Sequence, residues 1–215
     1  MRCKYCHNPD TWAKTEGEMK SAEEILQQAL RYKRYWGKKG GITVSGGEAL
    51  LQIDFVTELF TLAKEKGVNT CLDTSGNPFT REEPFYSKFE KLMEVTDLFM
   101  LDIKEMDEDE HKQLTGQTNK NILDMATCLS DHGKAMWIRH VLVPGITDDD
   151  GQLHRLRAFI DTLKTVERVE ILPYHTLGVF KWKELGIPYA LEDVEPPTKE
   201  QVEHAREIII PDYKS

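Results

Sequence analysis

Long apolar runs are missing from this sequence of 215 residues. Stretches such as 208–210 and 141–143 are far shorter than the roughly 20 residues that a membrane-spanning helix needs. The first residues, MRCKYCHNPDTW, contain no apolar segment of the kind that a secretory signal requires. We therefore expect a cytoplasmic protein with no membrane partner.

The sequence also has no excess of positive charge. It contains 28 Lys and Arg residues and 37 Asp and Glu residues, which gives a net charge of −9. Without a basic surface the chain has little to hold a phosphate backbone, which argues against a nucleic-acid partner. The chain has 4 cysteines but needs no disulfide framework, because 40% hydrophobic residues can supply a core. We expect a single domain over residues 1–215, and a monomer.

Short β-branched runs alternate with helical patterns from about residue 20 to the end. Ser21 and Glu24 form a capping box at the start of a helix that we expect to stop near Gly37. Further helices are expected at 55–67, 85–95, 120–132, 150–165 and 198–210. The strands between them are predicted at GITVSG, VNTCLDTSG, DLFMLDIK, MWIRHVLVPG and VEILPYH.

Strands separated by helices indicate an α/β fold with a parallel sheet. The choice is then between a βα barrel and a doubly wound sheet. No G-x-G-x-x-G motif follows a strand, so a dinucleotide-binding fold has no positive support. Polar and small residues follow the predicted strands at 45–48, 73–76, 102–104, 139 and 174–175. The carboxyl ends of barrel strands share one rim, where such folds build their active sites. Asp73 and Asp102, which end neighbouring strands, are expected either to share a cation or a network or to form salt bridges with local lysines.

The string Cys3-Lys4-Tyr5-Cys6-His7 matches C-x-x-C-H, the attachment pattern of c-type haem. Zinc is a second reading, although neither Cys71 nor Cys128 belongs to a second ligand pair. A redox dithiol is a third, although such a pair normally opens a helix within a βαβ unit. Cys71 and Cys128 lie in apolar patterns, and we expect them to be small buried residues without chemistry.

The longer string of residues 3–12 resembles the cluster loop of the pyruvate formate-lyase activating enzymes, a family of the radical S-adenosylmethionine (SAM) superfamily. The segment 44–49, Val-Ser-Gly-Gly-Glu-Ala, resembles the superfamily's G-G-E motif. Later blocks of the family are matched in order at 70–74, 100–104, 137–139, 172–175 and 181–182. This resemblance implies a partial parallel βα barrel of the radical SAM type.

The resemblance implies that Cys3 and Cys6 are metal ligands which bind a 4Fe-4S cluster as thiolates, with Tyr5 and His7 packed beside the cofactor. One iron of such a cluster stays open for the amino and carboxylate groups of SAM. No other cysteine lies in residues 7–45, which favours the pyruvate formate-lyase subtype over relatives that carry a ferredoxin-like insert.

The resemblance also assigns the remaining SAM contacts. Gly46 and Gly47 allow a close approach of their backbone to the SAM ammonium, and Glu48 supplies negative charge nearby. Lys104 suits a carboxylate, Arg139 a carboxylate or a ribose, and His175 the nucleoside end. The cofactor-binding set is completed by Asp102 and Ile103, and the catalytic set is Cys3, Cys6, Lys104 and Arg139.

The implied activity is reductive cleavage of SAM at the cluster, which yields methionine and a 5′-deoxyadenosyl radical. That radical removes hydrogen from a glycine of the partner enzyme, pyruvate formate-lyase. A flavodoxin or ferredoxin is the implied electron donor.

The sequence departs from the family at its start. The first cysteine of the family's C-x-x-x-C-x-x-C triplet and the opening β-strand are expected before Met1, so the cluster site of the chain as given is short of one ligand. We expect Met1 to be an internal residue of a longer protein. The alternative is a binding or regulatory module that has lost its cluster. Without the opening strand, the strand near 41–45 is expected to form an unpaired apolar edge.

Overall fold

A computed structural model describes residues 1–13, 17–37 and 40–210 of the chain. Its five strands form one sheet in the order β1-β2-β3-β4-β5, and every neighbouring pair is parallel. The strands are β1 (Gly41–Val44), β2 (Asn69–Thr74), β3 (Leu98–Asp102), β4 (Met136–Leu142) and β5 (Val166–Pro173). This confirms the predicted parallel α/β sheet.

The strand order follows the chain without a reversal, as it does in a βα barrel and not in a doubly wound sheet. Among the described residues β1 and β5 do not pair with each other, so the sheet is open and the fold is a partial barrel. The β1 strand pairs only with β2 within the described part of the chain, which leaves it as the expected edge.

Eight α-helices accompany the sheet among the described residues. They are α1 (Ala22–Leu30), α2 (Ile53–Glu65), α3 (Phe85–Val95), α4 (Glu108–Thr115), α5 (Lys120–Asp131), α6 (Asp150–Ile160), α7 (Val179–Glu184) and α8 (Lys199–Ile209). None of them is long and apolar enough to cross a membrane. The predicted capping box of α1 is present, with the Ser21 and Glu24 side chains bonded to each other's backbone N–H.

Several boundaries differ from the predictions. Helix α1 ends at Leu30 and is followed by a separate 3₁₀ turn at Lys33–Tyr35, so it does not run on toward Gly37. Helix α6 ends at Ile160 and not near 165. Helices α4 and α7 were not expected from the sequence. Helix α4, EDEHKQLT, is mostly polar and buries few side chains, so it lacks the apolar stripe that marks a helix.

Alternation along the strands gives the sheet two different faces. One face is fully buried and packs in the main core, with residues such as Leu72, Phe99, Leu101, Ile138 and Val169. The other face is partly exposed and carries polar side chains toward the carboxyl ends of the strands, namely Asp73, Asp102 and Arg139. The strand pattern therefore places the candidate site opposite the main core.

The capping box makes a stability prediction. Replacing Ser21 with Ala removes the side-chain bond to the Glu24 N–H, and should lower the free energy of unfolding by about 1 kcal/mol in urea titrations. The control is Thr127→Ala in α5, where an exposed hydroxyl only bonds back to the Leu123 carbonyl and alanine improves helix propensity. An equal loss in both variants would contradict the capping role.

Candidate active site

An ion-pair network joins the ends of β2, β3 and β4. One oxygen of Asp102 lies 2.9 Å from Lys104 Nζ, and the other accepts a hydrogen bond of 2.9 Å from Arg139 Nε. Arg139 Nη2 also donates to Asp73. Asp102 and Arg139 are paired in the β3–β4 register, so the parallel sheet itself brings these residues together. The predicted network at Asp73 and Asp102 is present, and its shared cation is Arg139.

Each charge in this network is set by its neighbours. Burial alone would raise the pKa of Asp102, but Lys104 and Arg139 together hold that pKa below its ordinary value. Burial opposes the charge of Lys104, but Asp102 together with Tyr5 and Cys3 outweighs burial and raises the lysine pKa well above its usual range. Burial raises the pKa of Asp73, and Arg139 offsets that only in part. Lys104 and Arg139 therefore stay cationic.

The network reaches residues 2–12, here called the cysteine loop, through Lys104. Lys104 is only 7% exposed. Its Nζ lies 5.7 Å from the centroid of the Tyr5 ring. The Tyr5 hydroxyl is buried and has no hydrogen-bond partner among the described residues. Burial raises the pKa of the Cys3 thiol, and Lys104 opposes that rise. Cys3, Tyr5, Lys104, Asp102 and Arg139 thus form one continuous group.

The cysteine loop is anchored at its start by α4. The N–H groups of Arg2 and Lys4 donate to the carbonyls of Thr115 and Leu114, each at 2.9 Å. The loop then turns, and the Cys6 N–H donates to the Cys3 carbonyl at 3.0 Å. Cys3 is buried and Cys6 is partly exposed, both as free thiols. The unpredicted helix α4 is therefore what positions Cys3.

The far end of the loop lies against the segment 175–182. The rings of His7 and His175 stack with centroids 4.0 Å apart, and His7 Nε2 lies 3.2 Å from the His175 carbonyl. Burial lowers the pKa of His7. A Cβ atom on Gly178 would lie 2.8 Å from His7 Cα, so only glycine fits there. The predicted residues His7 and His175 are in contact.

The G-G-E motif lies after β1. Gly46 has φ +144°, and a Cβ on it would meet nothing within 4 Å. A Cβ on Gly47 would lie 3.2 Å from Thr11 Oγ1, so this turn packs against the end of the cysteine loop. Glu48 accepts hydrogen bonds from the N–H groups of Leu50 (3.1 Å) and Ser75 (3.0 Å). Its carboxylate also accepts from the hydroxyls of Thr74 and Ser75.

Two predicted residues have structural contacts of their own. The Glu48 carboxylate ties the β1 loop to the end of β2, while its contribution of negative charge beside SAM stays a prediction. The Ile103 side chain is 1% exposed and packs in the main core. Its N–H donates to Arg139 and its carbonyl accepts from His140, so a contact of Ile103 with the cofactor also stays a prediction.

The sequence is similar to known families and proteins. The family model described as the radical SAM superfamily matches residues 1–156. The pyruvate formate-lyase-activating enzyme of Streptococcus mutans is 56% identical over 211 residues, covering 97% of this chain and 80% of that protein. The enzyme of the same name from Listeria monocytogenes is 50% identical, covering 97% and 85%.

The chain belongs to the radical SAM superfamily, in the family of pyruvate formate-lyase-activating enzymes. The fold agrees with this. A crystal structure of a domain of pyruvate-formate lyase-activating enzyme from Bacteroides vulgatus superposes with a TM-score of 0.64 at 21% identity, covering 79% of this chain and 92% of that one. Enzymes of this superfamily use a 4Fe-4S cluster and SAM.

The described residues fit SAM. Lys104 and Arg139 offer cations for a carboxylate, and the buried Tyr5 hydroxyl beside Lys104 lacks a partner. The space beside Gly46 is open. For the cluster, the loop would supply Cys3 and Cys6 as ligands, which match two of the three cysteines in the family triplet. Among the described residues no group of three or more His, Cys, Asp or Glu side chains could hold a metal ion.

The opposite pKa shifts of the two aspartates give a testable pH dependence. The lowered pKa of Asp102 means that its contribution to stability is present above about pH 4 and is lost as the pH falls through the folded pKa. Asp102→Asn should therefore cost about 2 kcal/mol of unfolding free energy near neutral pH, and less in acid.

Asp73→Asn is the matched variant. Because the pKa of Asp73 is raised, its ionisation opposes folding, and the wild type gains from its protonation as the pH falls. The stability of the wild type relative to Asp73→Asn should therefore increase in acid, while its stability relative to Asp102→Asn should decrease. Urea titrations at neutral pH and at about pH 3, below the ordinary pKa of an aspartate, measure both differences. Parallel pH trends in the two variants would contradict this assignment.

Proposed function

We propose that this enzyme activates pyruvate formate-lyase by generating a radical on one of its glycines. The names of the curated relatives support the partner, and the chain aligns with them over 97% of its length. Cys3 and Cys6 would hold the cluster, which when bound would supply the electron for the reductive cleavage of SAM that leads to hydrogen abstraction from the glycine. The observation that carries the proposal is the pair of fixed cations, Lys104 and Arg139, beside the cysteine loop.

The chain's own residues would bind and orient SAM. Lys104 stays protonated because Asp102 raises its pKa, so it can hold a carboxylate over the whole physiological pH range. Arg139 presents a planar fork from β4, already oriented by its two aspartates. The stacked rings of His7 and His175 offer a flat surface to the nucleoside end. Holding the reacting groups in this way is the protein's main contribution to such a reaction.

The finer features belong to the same proposal. We include a flavodoxin or ferredoxin as electron donor, a monomeric state, a cytoplasmic location and a single domain over residues 1–215. The single domain is supported by one sheet and by α8, which packs on β5 and α6 in the main core. The c-type haem, zinc and cluster-free binding-module readings find no support among these relatives, which are activating enzymes.

Anaerobic reconstitution with iron and sulfide tests the proposal. With the full cysteine triplet of the family present, we expect a reduced cluster whose electron-spin spectrum changes when SAM is added, and a glycyl radical on pyruvate formate-lyase when that partner is present. A covalent haem spectrum, or stoichiometric zinc without iron, would contradict it.

Lys104→Met tests the SAM site separately. Loss of a charge-assisted contact should weaken SAM binding about tenfold or more in equilibrium dialysis. The control is Lys120→Met, which removes an exposed lysine that pairs with Glu108 at the protein surface. Thermal melting of both variants establishes that they fold. Unchanged SAM affinity in folded Lys104→Met would remove this lysine from the site.

A further inference from the structure

We propose that Trp182 is a positioning residue for the cysteine loop, acting through the backbone carbonyl of Cys6. Its indole Nε1–H donates a hydrogen bond of 2.8 Å to that carbonyl, across 176 positions of sequence. This inference rests on the proposed function in one respect, namely that the cysteine loop binds a 4Fe-4S cluster. The hydrogen bond and its effect on Cys6 can be tested without SAM, a cluster or the protein partner.

Packing fixes the orientation of the Trp182 indole ring, and therefore the direction in which its N–H points. Trp182 is only 4% exposed. Its ring meets those of Trp12 and Tyr189 edge-on, with centroids 5.1 Å away in each case. A buried indole N–H needs an acceptor, because leaving it unpaired costs the full desolvation of the group. The acceptor that the fold supplies is the carbonyl of a cluster-binding cysteine.

The backbone of Cys6 depends on this bond more than that of Cys3 does. The start of the loop is tied to α4 through the N–H groups of Arg2 and Lys4. The Cys6 N–H, in contrast, is used within the loop, on the Cys3 carbonyl. The bond from Trp182 to the Cys6 carbonyl therefore links this residue's backbone to the rest of the fold.

Neighbours of Trp182 hold the residues that follow Cys6. Lys181 Nζ donates to Asn8 Oδ1 at 2.8 Å and pairs with Asp10 at 3.2 Å. Gly178 packs directly on the backbone of His7. The segment 175–182 thus contacts loop residues 6–10 at several points, and Trp182 provides the contact at the cysteine itself.

A fixed Cys6 matters because two thiolates bind one metal centre tightly only when their separation is already set. If the loop must become ordered during binding, the free-energy cost of that ordering weakens the affinity for the metal. Bonds from outside the ligand set that orient ligands in this way typically change metal affinity about 10- to 100-fold. Trp182 acts on Cys6 in this manner and does not itself touch the cofactor.

The test uses Cd²⁺ as a probe, since its thiolate absorption band reports binding by cysteine. The parent is the chain with Cys71→Ala and Cys128→Ala, so that Cys3 and Cys6 are its remaining thiols. Loss of the band in Cys3→Ala establishes the site. We expect Trp182→Phe, which keeps a ring but loses the N–H, to weaken Cd²⁺ binding about fivefold to tenfold.

The matched control is Tyr189→Phe. It removes a hydroxyl from the same aromatic cluster, where Tyr189 and Tyr174 share a bond of 2.8 Å, and no described hydrogen bond joins that hydroxyl to the loop backbone. We expect its Cd²⁺ affinity to stay within about twofold of the parent. Parent-like affinity in Trp182→Phe would overturn the proposal. So would an equal loss in Tyr189→Phe, because general packing would then explain both.

A second measurement needs no substitution at Trp182 and no metal. Exchange of the Trp182 indole proton with deuterium, followed by NMR, should be slower than that of free indole by at least about tenfold. Exchange as fast as in free indole would overturn the proposal, even where Trp182→Phe fails to fold. Failure of SAM cleavage or of glycyl-radical formation would instead count against the proposed function. It would not decide whether Trp182 positions Cys6.

Discussion

A half-buried carboxylate, Asp102, has to satisfy two cations at once, and the site is built around that requirement. Lys104 and Arg139 both contact it, one at each oxygen. Removing a charge from water is costly unless the partner is well placed, and here the register of β3 with β4 places it. Asp73 on β2 completes the network through Arg139. Three strand ends are thereby fixed relative to one another at the rim where the cysteine loop lies.

The charges of this network alternate and balance, with two carboxylates and two cations. Such an arrangement suits a zwitterionic ligand, because its carboxylate can approach the cations while its ammonium approaches the carboxylates. The amino-acid end of SAM has this pattern. A site with an excess of either charge would favour one group of the ligand and repel the other. The balance explains why acidic residues are present among the cations that are expected to bind a carboxylate.

The sequence predicted those parts of the fold and site that depend on local pattern. Alternation along the strands indicated a parallel sheet, and the rule for strand ends gathered Asp73, Asp102 and Arg139 at one rim. Helix α4 escaped prediction because its surface is mostly polar, although it anchors the start of the cysteine loop. The early end of α1 also escaped, since no glycine or proline stands near Leu30.

The role of Trp182 could not be read from local pattern either. The block Lys181-Trp182 stood out only by its resemblance to the family, and nothing in its spacing pointed to the Cys6 carbonyl. Gly178 gave no signal, because a glycine after a strand is ordinary turn chemistry. Both are explained by contacts with residues more than 160 positions away. Such contacts become visible only when the sheet has brought the two ends of the chain together.

Lys104 connects the two halves of the site. Burial keeps Cys3 as a neutral thiol by raising its pKa, and a neutral thiol is a poor target for oxidants. A metal ligand must be a thiolate, so binding iron displaces the proton and creates a negative charge in a buried place. Lys104 already opposes the raised pKa, and it would stabilise that charge. The same ammonium contacts Asp102. If Lys104 also binds the SAM carboxylate, as proposed, one buried cation would serve both the cysteine loop and the cofactor.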